Sequence, residues 1–274
     1  MSLVKSVALF CNARDEKHIK EWAAHHLLVG FDHIIIFDHN SIVPLSTIFK
    51  NFDKRVRIIR YDNSQNNIKM TLMNKALHIA REMRVDWFIY LDADEFIIFN
   101  NKLKGVKDFL NTYSFADSVA LNWLMFGTNH LKKDPNDLIL NSYTKSDALL
   151  HEAVKSFVRP FQAINANNPH FYHIKNKARM YGTNTILKNP YYYLNKNNVQ
   201  YTNVPAFIAH YVDQSEETYI NRKVKLPRDD TGIKRGQPDL VQLHNSHNEV
   251  ENMFPKLKYA ENVKRFLQQY GHEY

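Results

Sequence analysis

The stretch from Trp87 to Phe99, WFIYLDADEFIIF, constrains this chain most. It is an apolar run, then Asp92-Ala93-Asp94-Glu95, then a second apolar run. Trp87 to Leu91 is short and built of aromatic, β-branched and aliphatic residues. That composition predicts a strand buried on both faces of a sheet, as in an α/β protein. Three carboxylates follow where the strand ends, the position at which open α/β sheets bind ligands. Clustered carboxylates repel one another unless a cation offsets the charge. The residues leave two readings open. One is an oxygen-ligand site for Mg²⁺ or Mn²⁺ shared with a phosphate. The other is an acidic turn that caps the next element.

Elements on either side repeat the pattern. Val4 to Cys11 and Phe31 to Phe37 read as further buried strands, and Val56 to Tyr61 as another strand. Glu16 to Val29 has helical spacing, with Ile19, Trp22, Ala23, His26 and Leu27 on one face, and Gly30 as its C-cap. Ile68 to Arg84 reads as a second helix with Met70, Met73, Leu77 and Ala80 inward. This alternation predicts a mostly parallel central sheet flanked by helices. The loops Asn12–Arg14, Asp38–Ser41 and Asp92–Glu95 all follow strands, so they converge on one crevice of nucleotide size. No glycine-rich phosphate loop is present, which argues against a dinucleotide or P-loop site.

Later strands are expected at Asp117–Phe126, Val154–Arg159 and Ala206–Tyr211, with Ser215 as the N-cap of a following helix. Leu257, Ala260, Val263, Phe266, Leu267 and Tyr270 share a helical face near the end. His170 and His173 fall on opposite faces of an extended segment. His244 and His247 lack the partners of a zinc site.

The 274 residues suffice for one large α/β domain or a domain with an appendage. With seven glycines and nine prolines there is no flexible linker. A net charge of +8 suits a polyanionic ligand such as a nucleotide diphosphate, or an anionic membrane surface. The basic residues are too dispersed to argue for nucleic acid. Cys11 is the single cysteine, which excludes an intramolecular disulfide and fits a reducing compartment. No run approaches the ~20 apolar residues of a membrane span. A soluble, cytoplasmic protein is expected, with peripheral membrane contact left open.

Four segments carry a family resemblance. They are Asn12–Ser41, NARDEKHIKEWAAHHLLVGFDHIIIFDHNS; Asp86–Ile97, DWFIYLDADEFI; Asn122–Thr128, NWLMFGT, with Lys155–Pro160, KSFVRP; and His210–Arg228, HYVDQSEETYINRKVKLPR. In order and spacing they resemble glycosyltransferases of the GT-A fold, namely family 92 and the related family-2-like enzymes. The resemblance implies a GT-A domain over residues 1–243. Its nucleotide-binding half would cover about 1–100 and its acceptor half about 101–243, with a C-terminal helical extension over 244–274.

It further implies metal-dependent transfer of a sugar from a nucleotide-sugar donor, expected to be UDP-linked, to a glycan hydroxyl with inversion. The acceptor class spans glycan, glycolipid and glycoprotein. Asp92 and Asp94 would be the D-x-D pair, with side chains on the same face of an extended segment. Asp94 and His210 would bind Mn²⁺ or Mg²⁺. Asp92 would meet the ion, a metal-bound water or the ribose. Asn12, Arg14, Asp38 and Asn40 would line the nucleotide, and Lys223 and Arg228 the phosphates. Ile42 and Val43 stand where relatives carry another acidic residue, so the base is not assigned. Glu152 and Asp229 are the expected candidates for the general base. Two other classes fit paired carboxylates: a nucleotidyltransferase or phosphohydrolase, and a non-catalytic sugar-nucleotide-binding protein.

Overall fold

The computed structural model describes residues 3–63, 65, 67–183 and 199–272. Its strands are β1 (Val7–Ala13), β2 (His33–Asp38), β3 (Val56–Arg60), β4 (Trp87–Tyr90), β5 (Glu95–Phe99), β6 (Ser118–Met125), β7 (Lys145–Ser146), β8 (Val154–Val158), β9 (Ala163–Asn168), β10 (Phe171–Ile174), β11 (Met180–Gly182), β12 (Ala206–His210) and β13 (Val250–Glu251). The α-helices are α1 (Ile19–Leu28), α2 (Leu45–Ile48), α3 (Lys69–Glu82), α4 (Val106–Thr112), α5 (Ile139–Ser142), α6 (Glu216–Tyr219), α7 (Leu240–Asn245) and α8 (Glu261–Gln268).

One sheet organises the chain, in the order β3-β2-β1-β4-β8-β6-β12-β5, with β11 pairing β6. The first four strands are parallel, as the alternation of strand and helix requires. Beyond them β8 is antiparallel to both β4 and β6, and β5 is antiparallel to β12. The second half is therefore mixed. There β12 runs parallel to β6 beside these antiparallel pairs.

The residues of β1 are all buried, and alternate ones face opposite sides of the sheet. Val7, Leu9 and Cys11 join the core under α1, with Trp22, Phe31 and Trp87. Ala8 and Phe10 join the core under α3, with Phe37, Phe88 and Tyr172. Gly30 ends α1 with a φ of +102°, as a glycine C-cap should.

Three side chains of α1 hold β5. The Trp22 indole donates to the Glu95 carbonyl (2.8 Å), and His25 Nε2 lies 2.8 Å from the Ile97 carbonyl. His26 donates from Nδ1 to the Trp22 carbonyl (2.8 Å), while its Nε2 accepts the Ile97 N–H at 3.4 Å. These adjacent histidines pack rather than ligate, and burial lowers the pKa of both.

The tail is continuous with the body. Residue 244 lies within α7, β13 pairs with β7, and α8 packs on α1. Phe266 meets Phe52 edge-on, and Tyr270 lies tilted against it. Leu257, expected inward, is 78% exposed. A π-helical turn over Lys256–Ala260 shifts the register that plain helical spacing assumes. His244 and His247 pair with Glu216 and Asp147. No described helix is long and apolar enough to cross a membrane.

A buried ionic clamp fixes the loop before α5 to the start of α1. His18 lies 3.4 Å from both Glu21 and Asp134. Glu21 in turn accepts the backbone N–H groups of Ile139 and Leu140. Burial opposes charging of His18, but the two carboxylates outweigh it and raise the pKa from 6.5 to about 9. The folded value exceeds the unfolded one, so the contribution is fully present below pH 6.5 and is lost as pH rises through about 9. Thermal unfolding followed from pH 6 to 10 should show wild type losing its advantage over His18→Gln across that window. A constant gap between the two would refute the charged clamp.

Candidate active site

The carboxyl ends of β1 and β4 open into a cleft of about 490 Å³. Its floor is the turn after β4. Asp92 N–H donates to Glu95 Oε2 (2.9 Å), and Glu95 N–H donates to the Asp92 carbonyl (3.1 Å). This reciprocal pairing makes Glu95 the residue that orders the turn. Burial pushes the Glu95 carboxyl up to about 8, against the opposing Lys155 ammonium and with Asp92 adding repulsion.

Because Ala93 and Asp94 sit in this turn and not in an extended segment, the two aspartates do not share partners. The Asp92 carboxylate is held by two buried ammonium groups. Lys69 bonds Oδ1, and Lys155 lies 3.0 Å from Oδ2. Lys155 also donates to the Pro169 carbonyl (3.0 Å). Burial would raise the Asp92 pKa, but Lys155 and Lys69 hold it far below the usual carboxylate range.

Asp94 faces the opposite wall. Lys223 lies 3.2 Å and Arg222 3.5 Å from its Oδ2, and His210 Nε2 lies 3.6 Å from its Oδ1. Burial would raise this carboxyl too, but Lys223 and His210 keep it well below the usual value. His210 ends β12, registered against Glu95 of β5, which brings it to the turn. Burial lowers the His210 pKa, so the imidazole is neutral, and its Nδ1 is buried without a hydrogen-bond partner.

Asn12 and Arg14, at the end of β1, line the same cleft. They hold the strap over 222–235. Asn12 donates to Asp229 Oδ2 (2.5 Å), and Arg14 donates to the Pro227 carbonyl (3.2 Å). Lys69 adds a bond to Asn12 (3.1 Å) and lies 3.7 Å from Asp229. Tyr90 O–H also donates to Asn12 Oδ1 (2.9 Å). Arg228 lines the cleft while paired with Asp230, 2.9 Å from Nε to Oδ1.

Asp38 and Asn40 stand differently from the sequence expectation. Asp38 is fully buried, and its carboxylate accepts from Ser41 N–H (3.1 Å), Leu45 N–H (2.9 Å) and Arg60 (2.9 Å). Its oxygens order the loop and cap α2. Asn40, with φ of +57°, donates to the Asn63 carbonyl (2.6 Å). Neither residue lines the cleft, whereas His39 between them does.

Both candidates for the base line the cleft, in different states. Asp229 is committed to Asn12 and Lys69. Among the described residues Glu152 accepts no hydrogen bond and forms no ion pair within 4 Å. Sequence reasoning passed over Lys69, Lys155, Arg222 and Trp123. The signal for Lys69 was present: it precedes Leu72, Met73 and Ala76 at helical spacing, a lysine on the inward face. Lys155 stands likewise in a fully buried strand, VKSFV.

An ion can be tested against these groups. Asp94 Oδ1 and His210 Nε2 face each other at 3.6 Å, a pair of oxygen and neutral imidazole donors that fits one divalent cation. Asp92 is turned to its two lysines. Among the described residues no cluster of three or more His, Cys, Asp or Glu forms a complete protein-only cage. The fit is thus to an ion that completes its shell with ligand and water oxygens.

The family model described as "Glycosyltransferase family 92" matches residues 4–237. A glycosyltransferase family 92 protein of Ricinus communis is 26% identical over 172 residues, covering 60% of this chain and 30% of the relative. The chain thus spans less than a third of the curated relative it matches. Among solved structures, S. aureus TarS is 15% identical with a TM-score of 0.37, covering 57% of this chain and 28% of that one. CMP:2-keto-3-deoxy-manno-octonic acid synthetase complexed with CTP is 9% identical with a TM-score of 0.31, covering 57% and 75%.

Proposed function

The chain belongs to glycosyltransferase family 92, and on that premise we propose that it transfers a sugar from a nucleotide-sugar donor, UDP-linked, to a glycan hydroxyl with inversion. The observation that carries this reading is the meeting of Asp94 and His210 with Arg222 and Lys223 in a cleft that Glu152 also lines.

Asp94 and His210 would hold Mn²⁺ or Mg²⁺. Such an ion, when bound, neutralises charge on the two phosphates of the donor. Lys223, with its side chain 19% exposed, would turn from Asp94 toward the same phosphates, and Arg222, held by Glu16 at 2.6 Å, would add its charge beside it to stabilise the leaving nucleoside diphosphate. Asn12 and Arg14 would border the nucleotide. Asp92, fixed by Lys69 and Lys155, would present a set orientation toward the ribose. Glu152 would take the acceptor proton as the acceptor oxygen bonds to the anomeric carbon and the bond to phosphate breaks. Glycan, glycolipid and glycoprotein acceptors all supply such a hydroxyl.

The test is a melting and turnover screen of uridine, guanosine and thymidine diphosphate sugars with Mn²⁺ or with chelator. A ligand that binds only the native state at 100 Kd adds about 2.7 kcal/mol, about 5–10 °C for a domain of this size. One donor class should give that shift only with the ion, and should be slowly hydrolysed. A shift that chelator leaves intact would refute the metal role. The absence of any shift would refute the transferase reading.

A further inference from the structure

Trp123 of β6 packs against His210, ring centroids 4.4 Å apart, and is flanked by two further imidazoles. The ring centroid of His170 lies 5.1 Å from that of Trp123, and the ring of His151 lies 6.1 Å away. All three line the cleft beside Glu152. Short backbone bonds fix their positions. His151 N–H donates to the Trp123 carbonyl (2.7 Å), and Trp123 N–H donates to the Ala153 carbonyl (3.0 Å).

The hydrogen bonds also settle which nitrogen of each ring carries the proton. His151 Nδ1 lies 3.0 Å from the Ala153 N–H, which can only donate. Nδ1 must therefore be unprotonated, and in the neutral ring Nε2 carries the hydrogen. His170 Nδ1 lies 3.2 Å from the Val154 carbonyl, which can only accept. That Nδ1 must be protonated, and Nε2 of the neutral ring carries the lone pair. Burial keeps His170 neutral, with a pKa of about 4, and Lys155 opposes its charging further. The two rings thus have opposite polarity: His151 offers a donor and His170 an acceptor. Neither Nε2 has a hydrogen-bond partner among the described residues.

We propose that Trp123, His151 and His170 form the acceptor subsite, which takes a pyranose ring through two of its hydroxyls. One hydroxyl accepts from His151 Nε2–H. The other donates to His170 Nε2. The indole supplies the apolar wall against which the ring lies. Glu152, one residue from His151, is then beside the hydroxyl that attacks. The inference rests on the transferase reading for the identity of the cleft, but its donor and acceptor pairing is a property of the free protein.

Two measurements test it. Imidazole ¹⁵N shifts should place His151 and His170 in opposite tautomers at neutral pH. The same tautomer in both would overturn the pairing. Binding of a panel of methyl hexopyranosides and their monodeoxy analogues is then measured with saturating nucleoside diphosphate. At least one glycoside should bind, and removing either of two particular hydroxyls should weaken it about tenfold. His151→Phe and His170→Phe should each abolish discrimination at one hydroxyl only, with the nucleoside diphosphate Kd unchanged as the control for folding. Uniform loss in the two variants, or no glycoside binding while donor is hydrolysed, would overturn the subsite. Glycoside binding with this pattern but no donor turnover would uphold the subsite and count against the transferase reading.

Discussion

Asp94→Ala is expected to lower kcat/KM for sugar transfer by about three orders of magnitude, with the protein still folded. Asp94 is the carboxylate that His210, Arg222 and Lys223 share. Removing it takes away the charged ligand of the proposed ion and leaves two cations and an imidazole without their common partner. Electrostatic groups aimed at developing charge are worth about 10²–10³ each in kcat, and losing an ion with its carboxylate sits at the upper end of that range. The backbone of Asp94 still accepts from Tyr211 N–H (2.9 Å), so the link from the turn to the end of β12 survives the substitution. Steady-state kinetics of donor hydrolysis and transfer decide the matter. Activity within tenfold of wild type would show that the chemistry lies elsewhere in the cleft.

Lys69→Met is expected to cost about 3 kcal/mol or more and to lower Tm by about 6–12 °C. Lys69 is 2% exposed and serves Asp92, Asn12 and Asp229 at once. Methionine keeps the volume but leaves the Asp92 carboxylate with Lys155 alone. Breaking a buried pair by removing one partner is costly because the other charge stays behind. Burial alone would drive the Lys69 pKa down, yet Asp229 and Asp92 hold it above the ordinary value, so the ammonium is charged in the fold. The same change loosens the strap over 222–235, because Lys69 braces the Asn12–Asp229 contact. Hydrogen exchange should therefore quicken in residues 225–230 before it quickens in β1 or β4. An unchanged Tm, or exchange that rises equally everywhere, would argue against a latch.

The outline of this site could be read from local residues. Apolar runs of Val, Ile, Phe and Trp gave β1, β2, β3 and β4 to within a few residues. Polar loops after them marked the edge on which the cleft opens. Ser215 was legible as an N-cap, and its Oγ accepts the Thr218 N–H at 3.1 Å. The short helix α2 was missed because four residues carry too little periodicity to register. The cluster of carboxylates after β4 was legible, but its geometry was not. A reciprocal bond between Asp92 and Glu95 makes the segment a turn, and nothing in a two-residue spacing distinguishes turn from strand.

What the sequence determined by itself is what depends on neighbours in the chain: strand and helix periods, caps, and the cluster of carboxylates at one strand end. Tertiary structure alone decided what each charge does. Asp92 finds Lys155 across 63 residues, Asp94 finds Lys223 across 129, and Asn12 finds Asp229 across 217. Asp38 looks like Asp92 in the sequence, a carboxylate after a buried strand. Yet Arg60 and two backbone N–H groups enclose it, while Asp92 meets lysines at the cleft. Buried charge must be matched wherever the fold brings it. The match is made by strands and a helix that meet only when the sheet has formed, so no local pattern records it.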